Sequence, residues 1–247
     1  GLFLPNRLLA APSASDRRFI FLFSDGGWDT SHVFTPFWDI PGAFMEPEAA
    51  PANASGIDFI DHPFRPSVRR FFQDWGDRAC VINGLEVRSV THERCRELIL
   101  TGAGGLRDDW ASVLAAHGPS DLLIPHIILD GPAFTDRYTA NAVRVGDDGQ
   151  LPELLSGDGL RRSDLGVAPL SASVQEHTNA YLARRVASGS SDFHGAYGAA
   201  LDRLSVLRGY TDLSLNVEDA GCERDIAADC GLAYDLFSRG LSRCAML

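Results

Sequence analysis

The sequence has few cysteines, no long apolar run and no excess of basic residues, and each absence excludes a class of protein. Its 5 cysteines include no C-x-x-C pair, which argues against a zinc ribbon and against a complete disulfide framework. No segment reaches the roughly 18 apolar residues that a membrane-spanning helix needs. The formal net charge of −11 opposes binding to the phosphate backbone of a nucleic acid. We therefore predict neither a transmembrane span nor a nucleic-acid partner.

The composition that is present is typical of an α/β protein with many loops. The 247 residues are 45% hydrophobic and 22% charged, and they include 24 glycines. This length suffices for one large domain or two small ones.

Residues 1–16 have the profile of the end of a signal peptide. Apolar residues at 1–5 and 8–11 lead into small residues that end at Ser15. This order is typical of the hydrophobic and cleavage regions of an export signal, without the basic region and the initiator Met in front of them. The alternative is a short apolar arm that packs on the domain. On the first interpretation the protein is periplasmic or secreted, and the folded domain covers residues 17–247.

An unbroken apolar stretch at residues 19–23 predicts a strand that is buried on both faces. Asp25 and two glycines follow it closely, and Asp29 comes soon after. Glycines let the backbone turn sharply or approach a ligand closely. Because open α/β sheets bind ligands at the carboxyl ends of their strands, Asp25 and Asp29 are candidates to hold a cation or a charged substrate. The alternative is a solvated Asp-Gly turn.

The predicted helix start at Thr91 is a second candidate site. Thr91 is a typical N-cap residue, His92, Glu93 and Arg94 fall in the first turn, and Gly102 ends the helix. The free N–H groups and partial positive charge of a helix start favour an anionic ligand. The alternative is that Thr91 only caps the helix, with Glu93 and Arg94 on a solvated face.

Hydrophobic periodicity and turn residues predict the other elements. Residues 31–60 read as a long excursion from the sheet. The predicted strands are residues 79–82, 122–129 and 142–145. The predicted helices are residues 66–77, a short helix capped by Asp108 or Asp109 and ending at His117, and residues 171–187, 192–207 and 223–243. From residue 168 onward the chain is mostly helical.

The third apolar stretch repeats the pattern of the first, because Asp130 and Gly131 follow it directly. His126 lies inside this stretch. A histidine in an apolar strand is more typical of a core or edge position than of a metal site, and we interpret His126 in that way.

Several short motifs follow one another in a set order. They are a strand followed by Asp25-Gly26-Gly27-Trp28-Asp29, a loop with Pro36, His62-Pro63, Val81-Ile82-Asn83-Gly84, Thr91-His92, Thr101-Gly102 and Asp109-Trp110-Ala111-Ser112-Val113-Leu114. This order resembles the bacterial family called domain of unknown function 1501, a twin-arginine-exported branch of the alkaline phosphatase and sulfatase superfamily. The resemblance runs from about residue 17 to about residue 132, and more loosely to the end of the chain.

The resemblance implies a doubly wound α/β fold with a mainly parallel sheet flanked by helices. In active hydrolases of the superfamily, an Asp that closes the first strand binds a divalent metal such as Zn, Ca, Mg or Mn. A Ser, Thr or modified Cys at a helix start attacks phosphorus or sulfur. Asp25 and Thr91 match these two positions, Asp29 is a further candidate ligand, and His92 is a candidate ligand or substrate contact. Carboxylate oxygens suit such cations.

Two functions are compatible with these motifs. The first is an exported, metal-dependent hydrolase that acts on a small anionic phosphate or sulfate ester. The second is a non-catalytic exported protein that keeps the fold and binds a surface glycan or another partner. The superfamily's remaining ligands, an Asp-His pair and a later His, have no counterpart before Leu247. We therefore expect an amino-terminal part of a longer protein, with an incomplete metal site.

Overall fold

The computed structural model describes residues 16–24, 30–34, 37–42, 44–119, 121–144, 171–189, 192–207 and 225–247. The strands are β1 (Phe19–Phe21), β2 (Ala50–Ala54), β3 (Ile57–Asp61), β4 (His126–Ile128), β5 (Ala142–Arg144) and β6 (Cys244–Met246). The α-helices are α1 (Pro66–Trp75), α2 (His92–Thr101), α3 (Trp110–Ala116), α4 (Ala172–Ser188), α5 (Asp192–Leu207) and α6 (Ile226–Ser238). Short 3-10 helices span Thr30–His32, Gly76–Arg78 and Thr139–Asn141.

Four of the strands form a parallel sheet in the spatial order β1-β6-β4-β5. Their first residues are level, because Cys244 of β6 pairs with Phe19 on one side and with His126 on the other. The ladder between β1 and β6 continues to Phe23, whose N–H donates to the Leu247 carbonyl at 2.8 Å. The predicted mainly parallel sheet is confirmed.

Helices cover both faces of this sheet. Successive side chains of a strand point to opposite faces, so one strand contributes to the packing on both sides. Ile127 and Ala245 face one way and pack in a cluster with residues of α5 and α6. Ile128, Cys244 and Met246 face the other way and pack with residues of α2 and α3. The predicted α/β class with flanking helices is therefore confirmed.

Contacts divide the chain into two compact units, residues 1–23 with 96–247 and residues 24–95. The first unit contains the parallel sheet. In the second unit β2 and β3 form an antiparallel hairpin with Ala50 opposite Asp61. Helix α1 packs on this hairpin through Phe72, whose ring stacks on Phe59 with 4.8 Å between the centroids.

The helix starts follow the sequence closely. Asp109, not Asp108, caps α3 by accepting a hydrogen bond from the Ser112 N–H. Ser171 caps α4, and Gly102 follows α2 with a φ of +69°, a value that favours glycine. Helix α1 ends within two residues of its predicted end.

The prediction that β1 is buried on both faces is wrong. β1 is an edge strand of the described sheet, and the exposed fractions of Ile20 and Leu22 are 49% and 54%. An apolar run does not distinguish an edge strand from a central one, since both favour the same residue types.

Residues 31–60 leave the parallel sheet, as predicted, but they contain the β2–β3 hairpin, which forms a separate two-stranded sheet. This hairpin was not predicted, because β2 reads Ala-Pro-Ala-Asn-Ala and these residues are poor strand formers. The predicted strand at residues 79–82 is wrong, since these residues form no strand and Ile82 is largely exposed. A short apolar run does not form a strand unless a neighbouring strand pairs with it.

The predicted helix 223–243 ends at Ser238, and the chain then turns and enters β6. Gly240, with a φ of +69°, lies in the turn. The sequence did not reveal β6, because a strand of three residues is too short to show its own periodicity. The predicted end of this helix is therefore wrong, since β6 follows and lies between β1 and β4.

Replacement of Ile127 tests the hydrophobic core that surrounds the sheet. It is fully buried in the cluster with α5 and α6, so Ile127→Ala should lower the free energy of unfolding by about 2–5 kcal/mol. The matched control is Ile226→Ala, because Ile226 of α6 is about half exposed. Denaturant unfolding followed by circular dichroism measures both. Equal losses for the two variants would contradict the described core.

Within the described ranges, none of the helices combines the length and the apolar character needed to cross a lipid bilayer.

Candidate functional site

The candidate ligands Asp25 and Asp29 lie outside the described residues. The chain before them is described through Ser24, and Phe23 is the last residue bonded to β6. The assignment of both carboxylates to a metal site stays a prediction.

The carboxyl edge of the sheet carries a second Asp-Gly pair, at the end of β4. Asp130 follows the buried Leu129, and its N–H donates to the Met246 carbonyl at 3.4 Å. Its Oδ1 accepts a hydrogen bond from the Gly131 N–H at 2.7 Å. Gly131 has a φ of +76°, which other residues adopt only with strain. The turn thus fixes Asp130, and this side chain is exposed to solvent at the edge.

Strand β5 supplies a cation beside this turn. Arg144 is the last residue of β5, is exposed, and donates from Nη2 to the Gly131 carbonyl at 3.0 Å. It is level with Ile128 on β4, and neighbouring strands lie about 5 Å apart. We call Asp130 and Arg144 the carboxyl-edge pair. Its carboxylate is suited to a cation, and its guanidinium to a phosphate or sulfate oxygen.

Sequence reasoning did not select the carboxyl-edge pair, although a signal for Asp130 was present. The pattern of an apolar run, an Asp and a Gly occurs after both β1 and β4. Arg144 had no such signal, because only the pairing of β4 with β5 brings it to the same edge.

Thr91 and His92 lie where helix α2 begins, as predicted. The Thr91 carbonyl accepts the first helical hydrogen bond, from the Cys95 N–H at 2.9 Å. Ser89 Oγ lies 3.4 Å from Thr91 Oγ1 and accepts a hydrogen bond from the Thr91 N–H at 3.3 Å. Both Thr91 and His92 are exposed. Thr91 is therefore accessible to a substrate, and its role as a nucleophile stays a prediction.

A metal site cannot be assembled from the described residues alone. Within those ranges there is no group of three or more His, Cys, Asp and Glu side chains that could hold an ion. Asp130 offers one carboxylate, which is fewer donors than a Zn, Ca, Mg or Mn ion takes from a protein. Any metal at this edge needs donors from residues outside the described ranges.

Asp109, Ser112 and His126 form a buried polar cluster, which we call the α3 cluster. Asp109 accepts hydrogen bonds from the N–H groups of Ser112 at 2.7 Å and Phe134 at 2.9 Å. Ser112 Oγ lies 3.3 Å from His126 Nδ1. These are the residue types of a hydrolase triad, but a triad carboxylate orients the imidazole, whereas Asp109 here binds backbone. All three residues are fully buried, so the α3 cluster is structural.

His62, the histidine of the His62-Pro63 motif, is also structural. It is buried, its Nδ1 accepts a hydrogen bond from the Phe64 N–H at 3.1 Å, and its Nε2 lies 2.9 Å from the Pro47 carbonyl. Because a carbonyl only accepts, these contacts assign the proton to Nε2. Nearby, Arg65 donates to Glu46 at 2.5 Å, and this hydrogen bond lowers the pKa of Glu46.

Comparison with known proteins identifies no relative of this chain. No protein-family model matches it, and no curated protein and no solved structure is similar to it. The resemblance to the domain of unknown function 1501 family thus stays a prediction from the motifs.

Proposed function

We propose that the chain is part of an exported, metal-dependent hydrolase of phosphate or sulfate esters, with the alkaline phosphatase-like, doubly wound fold. The observation that supports this proposal is the carboxyl-edge pair at the ends of two neighbouring parallel strands. Ligands of open α/β sheets bind at this edge. Strand β1 ends at the same edge, and Asp25 follows Phe23 by two residues in the sequence.

Each candidate residue has a role that its chemistry supports. Arg144 binds the anionic oxygens of the ester through parallel N–H donors. Asp25 and Asp29 supply oxygen donors, and a divalent cation held by them would polarise the ester. Thr91 is the candidate nucleophile, and His92 contacts the substrate or the cation.

A non-catalytic exported protein that binds a surface glycan is the second candidate. It is favoured by the exposed aromatic side chains of Phe64, Phe71 and Trp75 in the unit of residues 24–95. Exposed apolar groups that lie close in the chain are typical of interaction surfaces.

Replacement of Thr91 distinguishes the two functions. We expect Thr91→Ala to lower the hydrolysis of an aryl phosphate or aryl sulfate by a factor on the order of 10² to 10⁴, because the attacking hydroxyl is lost. Thr91→Ser keeps a hydroxyl and should retain activity within roughly tenfold. The control is Thr178→Ala in α4, whose hydroxyl donates to the Val174 carbonyl.

The assay uses the full-length protein with both substrates, alongside a glycan array. A wild-type protein that hydrolyses neither substrate, or a Thr91→Ala variant that is fully active, would contradict the proposed role of Thr91. Glycan binding that Phe71→Ala abolishes would then support the second candidate.

A further inference from the structure

His126 is a fully buried, titratable side chain for which the proposed function has no use. It is the first residue of β4 and faces α3, in contact with Ser112. Its Nδ1 lies 3.3 Å from Ser112 Oγ, whereas its Nε2 has no hydrogen-bond partner among the described residues. The ring therefore makes one polar contact among the described residues, through Nδ1, and its Nε2 has no acceptor there.

Helix α3 is held on the sheet by apolar and polar contacts together. Its buried residues are Ala111, Ser112 and Ala115, and the half-buried Leu114 packs against the same side of the sheet. The hydrogen bonds of Asp109 and the contact between Ser112 and His126 add polar contacts to this apolar packing.

Burial disfavours a second proton on the ring, while the two nearby charges oppose each other. Asp109, at the start of α3, is the nearby anion, but both of its oxygens already accept hydrogen bonds from backbone N–H groups. Arg144 of β5 is a cation that acts against protonation.

Strand β6 adds no anion to these surroundings. Cys244 is level with His126, and burial raises the pKa of its thiol to about 12, so the thiol stays neutral. Arg243 precedes it, and its guanidinium lies 5.5 Å from the centre of the Phe19 ring. Helix α2 contributes the apolar Leu100, which packs in the same hydrophobic cluster as Cys244.

We propose that His126 and Ser112 form an acid-sensitive latch, which holds α3 on the sheet while the imidazole is neutral and releases it on protonation. In the protonated ring both nitrogens are donors. The Nε2–H then has no acceptor among the described residues, and an unpaired buried charge is costly. Separation of α3 from β4 and β6 lets the ring reach water.

The direction of the pH effect follows from the difference in the pKa of His126 between the closed and the released state. Burial, with a smaller contribution from Arg144 and against the opposing Asp109, lowers the pKa of His126 from 6.5 to about 4 in the closed state. A released imidazole takes up its proton near 6.5. Protons therefore favour the released state as the pH falls from about 6.5 to about 4, and the latch is fully closed above that range.

The buried thiol of Cys244 reports the release, because it lies on the sheet face that α3 covers. The experiment uses the full chain with Cys80, Cys95, Cys222 and Cys230 replaced by Ser. An aromatic disulfide labels Cys244, and this rate is divided by the rate at which the same reagent reacts with a small-molecule thiol. The ratio at about pH 7 is then compared with the ratio at about pH 4.5. We expect an increase of roughly 50- to 100-fold from the shift in the His126 equilibrium.

His126→Gln removes the titrating group and should abolish most of that increase, while His177→Gln in the exposed part of α4 should keep it. An equal increase in the His126→Gln variant, or none in the parent, would overturn the proposal. If His126→Gln does not fold, the protonation of His126 in the parent protein is measured by nuclear magnetic resonance of its imidazole ring. A His126 ring that becomes charged near pH 6.5 while α3 stays protected from hydrogen exchange would also overturn it.

Discussion

Replacement of Asp109 by Ala should lower the free energy of unfolding by about 2–6 kcal/mol. The side chain caps α3 and accepts hydrogen bonds from the N–H groups of Ser112 and Phe134, and it is fully buried. Each of these two N–H groups costs about 1–3 kcal/mol when it loses its acceptor, because water does not replace the buried carboxylate. Denaturant unfolding measures the sum.

Asp225→Ala is the matched control for this variant. Asp225 caps α6 in the same way, accepting from the Ala227 N–H at 2.8 Å, but it is exposed. Water replaces its oxygen, so the expected loss is only about 1 kcal/mol. The account of the α3 cluster would be refuted by an Asp109→Ala variant that loses no more stability than Asp225→Ala.

Asp25→Ala should lower kcat/KM for an ester substrate by a factor on the order of 10³, without a comparable loss of stability. The reason is the proposed role of Asp25 as a metal ligand. Arg144→Ala should mainly raise KM, because Arg144 binds the substrate in this proposal.

Asp77→Ala is the control for Asp25→Ala, since Asp77 is exposed and forms a 4.0 Å ion pair with its neighbour Arg78. Its activity should equal that of the wild type. The role of Asp25 is refuted if Asp25→Ala and Asp77→Ala have the same kcat/KM.

The fold class could be predicted from the sequence because long helices and turn residues carry strong local signals. Ser171, Asp109 and Gly102 mark helix ends by their own chemistry. Strand β6 could not be predicted, since its three residues become a strand only through pairing with β1 and β4. The edge position of β1 likewise depends on partners that are distant in the chain.

The candidate site was predicted only in part, for the same reason. The start of α2 just after Thr91 was predicted correctly. The neighbourhood of Asp130 and Arg144 depends on the register between β4 and β5. His126 was correctly interpreted as a core histidine, but its contact with Ser112 arises from tertiary packing.

The metal content of the full-length protein tests the central claim most directly. The protein is equilibrated with a mixture of Zn, Ca, Mg and Mn salts, freed of loosely bound ions and analysed by mass spectrometry of the elements. The proposed hydrolase should retain about one or two divalent ions per chain, and Asp25→Ala should lose at least one, while Asp77→Ala retains all. A wild-type protein without bound metal, or an Asp25→Ala variant with the full metal content, would contradict the claim.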